Sequence, residues 1–156
     1  MFRAAIADQT PLGLRVEPIL ASGELVPDEL TVELIRDRLA REDAAAGFVL
    51  DGFPRNLAQA ASLDAMLVEI GREVDAVLFF DLEDAIAIER MRGRAVAEGR
   101  PDDTPDVMAR RLAIYHDQTE PVVERYARAG VLVTLPAERT IDEVFEAIQA
   151  SLEGVA

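Results

Sequence analysis

The stretch that most constrains this chain is Phe48-Val49-Leu50-Asp51-Gly52-Phe53-Pro54-Arg55-Asn56-Leu57-Ala58-Gln59. Its short apolar opening predicts a strand at about 47–51, buried on both faces of a parallel sheet. Asp51-Gly52 ends that run, and Pro54, which fixes φ and forbids further ladder pairing, turns the chain toward a helix. A carboxylate, an arginine and a glutamine are thereby expected at the carboxyl edge of a sheet, where open α/β folds bind ligands. Arg55 can fork onto a phosphate, and Gln59 shares its helix face four residues on. Asp51 suits a Mg²⁺ ion held through its water shell. Any two of these residues would fit an ordinary strand-turn-helix junction with a surface ion pair, whereas the complete run points to a ligand site.

Other segments extend the α/β pattern. Met1–Ala7 reads as the end of a helix, followed by helices at about 12–21 and 27–41, the latter with Pro27 at its first position. An amphipathic helix is expected over 56–70 and a second buried strand over 76–80, ended by Asp81. Asp84 opens a further helix. Thr104 and Pro105 mark an N-cap and first helical position, and that helix is expected to reach about Gln118. A helix from Thr119 to Arg128 leads to a third strand at 131–135. Thr140-Ile141-Asp142-Glu143 has the form of a capping box opening the last helix. Helices alternating with short apolar strands predict a parallel sheet in one domain covering 1–156.

The run Leu50-Asp51-Gly52-Phe53-Pro54-Arg55, with Gln59-Ala60 following, resembles the signature of adenylate kinases. Gly23-Glu24-Leu25-Val26-Pro27-Asp28-Glu29 is similar to the segment closing that family's AMP-binding subdomain. Arg92-Gly93 through Gly99-Arg100-Pro101-Asp102-Asp103-Thr104 to Arg111-Leu112 and Tyr115 resembles its lid and following helix. The likeness implies a P-loop-kinase-like three-layer fold, an AMP-binding subdomain at about 1–27, and a short zinc-free lid at about 92–104. It also implies reversible, Mg²⁺-dependent phosphoryl transfer from ATP to AMP, giving two ADP. Arg3 and Arg55 are expected to hold the AMP phosphate, with Gln59 and the Val26 main chain on adenine. Gln59 favours AMP over other nucleoside monophosphates, because its amide can meet adenine's donor and acceptor edge. Arg92, Arg100 and Arg111 match arginines that grip the ATP and transferring phosphates, with Arg94 a rival for Arg92. From the residues alone, 92–103 would read as a solvated loop.

The family's phosphate loop is missing from this sequence. No G-x-x-x-x-G-K-[ST] occurs, and no lysine is present to stand in for that loop's lysine. Met1-Phe2-Arg3 matches an internal Met-Phe-Arg of the family, so the chain is expected to be N-terminally truncated and to lack the first strands. The loss should impair turnover, and the two strand edges it exposes offer a route to self-association. The alternative is a catalytically inactive AMP-binding or assembly protein built on the same fold.

Composition narrows the partners. A net charge of −14 argues against nucleic acid or anionic membrane as a partner. The absence of cysteine excludes disulfides and thiolate metal sites, and fits a cytoplasmic protein. No apolar run approaches the roughly eighteen residues of a membrane span. His116, the single histidine, reads as a surface helix residue with no acidic motif beside it.

Overall fold

Side-chain caps open four helices where the sequence carries threonine or asparagine. Thr10, Asn56, Thr104 and Thr140 each accept a hydrogen bond from the backbone N–H three residues on, satisfying a donor the helix cannot pair internally. The computed structural model describes residues 1–98 and 104–153. They form α1 (Phe2–Ala7), α2 (Pro11–Ser22), α3 (Asp28–Leu39), α4 (Leu57–Glu69), β1 (Val77–Asp81), α5 (Asp84–Glu98), α6 (Pro105–Ile114), α7 (Glu120–Ala129), β2 (Leu132–Pro136) and α8 (Ile141–Leu152). A π-helical segment, Tyr115–Thr119, joins α6 to α7. The class is α/β, mostly helical with a small parallel sheet. None of the described helices is long and apolar enough to cross a membrane.

The chain divides into two compact units, Met1–Leu50 with Glu89–Tyr115, and Asp51–Ile88 with His116–Ala156. The first contains the expected AMP-binding segment, 1–27, and the flanks of the expected lid. Its α1 and α2 approach closely at Gly13, where a Cβ would lie 2.0 Å from the Ala5 carbonyl oxygen. Val16, Val26, Ile35, Ala44 and Met108 are its buried apolar residues.

In the second unit β1 and β2 pair in parallel, with Val77 opposite Leu132 and Asp81 opposite Pro136. A core of Ala60 from α4 with Val122 and Tyr126 from α7 packs against Val74, Val77, Val131 and Leu132. Strand 76–80 is thus found one residue later, and strand 131–135 likewise.

Two expectations need correction. The run 47–51 is not a strand: it joins no ladder, and Val49 is 94% exposed. An apolar run becomes a strand only when a neighbour takes its backbone groups, and among the described residues none does. The second concerns Arg92 to Glu98, expected in a glycine-punctuated loop, which continue α5. Gly93 alone does not end a helix among arginine, alanine and glutamate, all strong helix formers.

Candidate functional site

The turn between Leu50 and α4 is built around Arg55. Gly52 takes φ +69°, a left-handed conformation that glycine adopts without a Cβ clash. A Cβ at Gly52 would also stand 2.7 Å from Arg55 Nη2. The guanidinium folds back over this residue, its Nε donating to the Gly52 carbonyl at 2.7 Å. Phe53 is buried and anchors the turn, while Asp51 and Arg55 are exposed.

The backbone of Arg55 is held on both sides. Its N–H donates to Gln59 Oε1 at 2.8 Å, and its carbonyl accepts from the Thr119 hydroxyl at 2.8 Å. The Gln59 N–H in turn donates to Asn56 Oδ1 at 2.8 Å. Asn56 and Gln59 form a variant of the capping box, the N3 side chain reaching back to the residue before the cap. Gln59 is the one buried polar residue among those described, at 2% exposure. The pattern Asn-x-x-Gln ahead of an apolar helix signals this second duty in the sequence. No such signal exists for Thr119, which lies 64 positions from Arg55.

Of the expected site residues, Asp51, Arg55 and Gln59 are brought together in the second unit. Arg3, Val26, Arg92 and Arg111 belong to the first, and Arg100 lies outside the described residues. Arg3 is exposed on α1. Val26 is buried, and its carbonyl takes a long contact, 3.5 Å, from the Thr31 hydroxyl. Half-buried Arg111 lays its side chain against Gly23, whose missing Cβ would meet Arg111 Cγ at 3.5 Å and Val107 Cγ1 at 2.9 Å. Arg110 secures the same approach through an ion pair with Glu24 at 2.8 Å. Arg111 therefore stands beside the turn that leads to Val26. Arg92 is exposed on α5 and Arg94 half-buried.

His116 is exposed as expected, but two acids flank it. Its Nε2 lies 2.9 Å from Asp84 Oδ2 and its Nδ1 3.1 Å from Glu120 Oε2. Hydrogen bonds to Asp84 first, and then to Glu120, raise its pKa above the usual histidine value. Glu120, four residues on, was legible at helical spacing, whereas Asp84, 32 residues back, was not.

Among the described residues no three His, Cys, Asp or Glu side chains gather to hold a metal. A lone exposed carboxylate at Asp51 fits a hydrated Mg²⁺ whose other ligands are water and phosphate oxygens, and it does not fit an all-protein cage.

Residues 1–131 match the protein family described as Adenylate kinase. Over 152 residues the chain is 43% identical to the Adenylate kinase of Xanthomonas campestris pv. campestris (strain 8004), covering 97% of this chain and 81% of that protein. With the Adenylate kinase of Xylella fastidiosa (strain 9a5c) the identity is 40% over the same shares. The Adenylate kinase of Xanthomonas euvesicatoria pv. vesicatoria (strain 85-10) is 42% identical, again over 97% and 81%.

Proposed function

The chain belongs to the adenylate kinase family, and from that membership we propose that it acts in reversible phosphoryl transfer from ATP to AMP, yielding two ADP. The observation that carries the reading to particular residues is the doubly held Arg55 backbone on the Asp51–Arg55 turn. A fixed backbone with an exposed guanidinium suits a phosphate ligand, because catalysis of this transfer is chiefly positioning and charge neutralisation. Arg55 and Arg3 hold the AMP phosphate in this reading, and the Val26 main chain meets adenine. Gln59 meets adenine in the same reading, its Oε1 now taken by the Arg55 N–H. Arg111, Arg100 and Arg92 or Arg94 neutralise the transferring phosphoryl group. The segment about 92–104, which carries all of these but Arg111, serves as the lid that excludes water. Asp51 steadies hydrated Mg²⁺, which when bound neutralises charge on the phosphate oxygens.

The family's substrates, ATP, AMP and ADP, are the partners of this proposal, and the cytoplasm its location. Each strand of the β1–β2 pair keeps one edge with no neighbour among the described residues. Self-association through those edges belongs to the same reading, and sedimentation at rising concentration tests it.

The experiment for the activity is a coupled assay of ADP formed from ATP, AMP and Mg²⁺, run with the chain and with Arg55→Ala. The reading requires turnover that falls at least tenfold in the variant. ADP formation that is the same with and without Arg55 would refute the assignment, and AMP-independent ATP hydrolysis would refute the reaction.

A further inference from the structure

We propose that Thr119 is a positioning residue for Arg55, holding the phosphate-binding turn through its side-chain hydroxyl. The inference rests on the reading of Arg55 as the AMP phosphate ligand.

Thr119 ends the π-helical segment and runs directly into α7, its own backbone helical at φ −94° and ψ −37°. Its side chain makes no bond to the first turn of α7. Its hydroxyl instead donates to the Arg55 carbonyl at 2.8 Å. With the helix continuous through this residue no side-chain cap is called for, and the hydroxyl ties the turn to the junction of the π-helical segment with α7.

The backbone around Thr119 is itself unusual. Tyr115–Thr119 is a single π-helical segment, a rare conformation that concentrates at functional sites. Near its start His116 reaches Asp84 and Glu120, tying the segment to the first turn of α5 and to α7. From this anchored segment Thr119 meets one side of Arg55 while Gln59 holds the other. Gly52 accepts from the guanidinium itself. With peptide and Nε fixed, the exposed end of Arg55 is presented to a phosphate with little conformational freedom left to lose. Thr119 touches no substrate in this account and acts through Arg55 alone.

The test compares Thr119→Val and Thr119→Ser with the unmodified chain. It measures AMP and ATP affinity by calorimetry and hydrogen exchange at the Arg55 amide. The valine variant is expected to bind AMP roughly three- to tenfold more weakly, the effect of one lost hydrogen bond. Its ATP affinity should move by less than twofold, and Arg55 exchange should quicken while α8 amides stay unchanged. Serine, which keeps the hydroxyl, should restore both readouts. Unchanged AMP affinity in Thr119→Val, or an equal loss in Thr119→Ser, overturns the proposal. If the unmodified chain binds no AMP, the phosphate-ligand reading of Arg55 fails, and Arg55 exchange alone then decides whether Thr119 holds the turn. Exchange that is the same in both chains overturns that too. Should valine unfold the protein, Thr119→Ala is read by the same criteria.

Discussion

His116 sets its Nε2 2.9 Å from Asp84 Oδ2, a contact that joins the π-helical segment to the first residue of α5. The second nitrogen faces Glu120, so both ring atoms meet acceptors. A neutral imidazole has one N–H and satisfies one of them, whereas the imidazolium satisfies both.

Protonation of His116 is therefore coupled to folding. Its folded pKa is raised by the Asp84 and Glu120 hydrogen bonds, above an unfolded value near 6.5. The stabilisation is accordingly complete below about pH 6.5 and is lost as pH rises through the higher folded value. Melting temperatures of the unmodified chain and His116→Gln, measured from pH 5.5 to 8.5, should differ most at the acid end and converge toward the alkaline end. A gap that widens with pH would reverse the sign and remove the coupling.

Thr140 supports α8 in a full capping box. Its hydroxyl accepts from the Glu143 N–H at 3.4 Å, and Glu143 returns to the Thr140 N–H at 3.0 Å. Thr140→Ala should lower stability by about 1 kcal/mol, the usual loss for an N-cap threonine. Glu143 titrates oppositely to His116: the Thr140 bonds lower its pKa below 4.5. Its contribution is present above that value and disappears as pH falls through the folded one. Denaturant midpoints at pH 7 and pH 3 check both statements, since the Thr140→Ala penalty should shrink at pH 3.

These two sites show which features a sequence carries openly. The α8 box lies within four residues, so residue types and spacing disclose it. The same holds for Thr10, Asn56 and Thr104, and for strands rich in valine, leucine and phenylalanine. What stayed hidden depends on distant partners. Phe48–Leu50 has the composition of a strand, but a ladder needs a second chain segment, and Val49 is left in solvent. The Asp84–His116 and Thr119–Arg55 contacts bridge 32 and 64 positions, beyond any local pattern. Gln59 carries two signals, an adenine role that the family resemblance implies and a capping spacing from Asn56 that the structure uses.

Gly52 offers a direct probe of the Arg55 turn. Alanine there must hold φ near +69°, which costs an L residue roughly 1–2 kcal/mol. Its Cβ would also press on Arg55 Nη2 from 2.7 Å and push the guanidinium off the Gly52 carbonyl. Gly52→Ala should therefore lose AMP affinity by more than its modest fall in melting temperature accounts for. Calorimetry well below the melting temperature separates the two. Full AMP affinity in a folded variant would show that the guanidinium position is not set by this turn.

Tyr126 sits in the core of the second unit at 4% exposure, its hydroxyl buried with no hydrogen-bond partner among the described residues. Desolvation at this position pushes the phenol's pKa upward. A buried hydroxyl with no partner is destabilising by about 1–3 kcal/mol, because the folded state forfeits the hydrogen bonds water supplied. Phenylalanine keeps the ring that packs with Ala60 and Val122 and removes only the stranded polar atom. Tyr126→Phe is thus expected to raise stability by roughly 1 kcal/mol, visible as a higher denaturant midpoint at unchanged slope. A lower midpoint would mean that the hydroxyl is satisfied in solution, by an ordered water in this core.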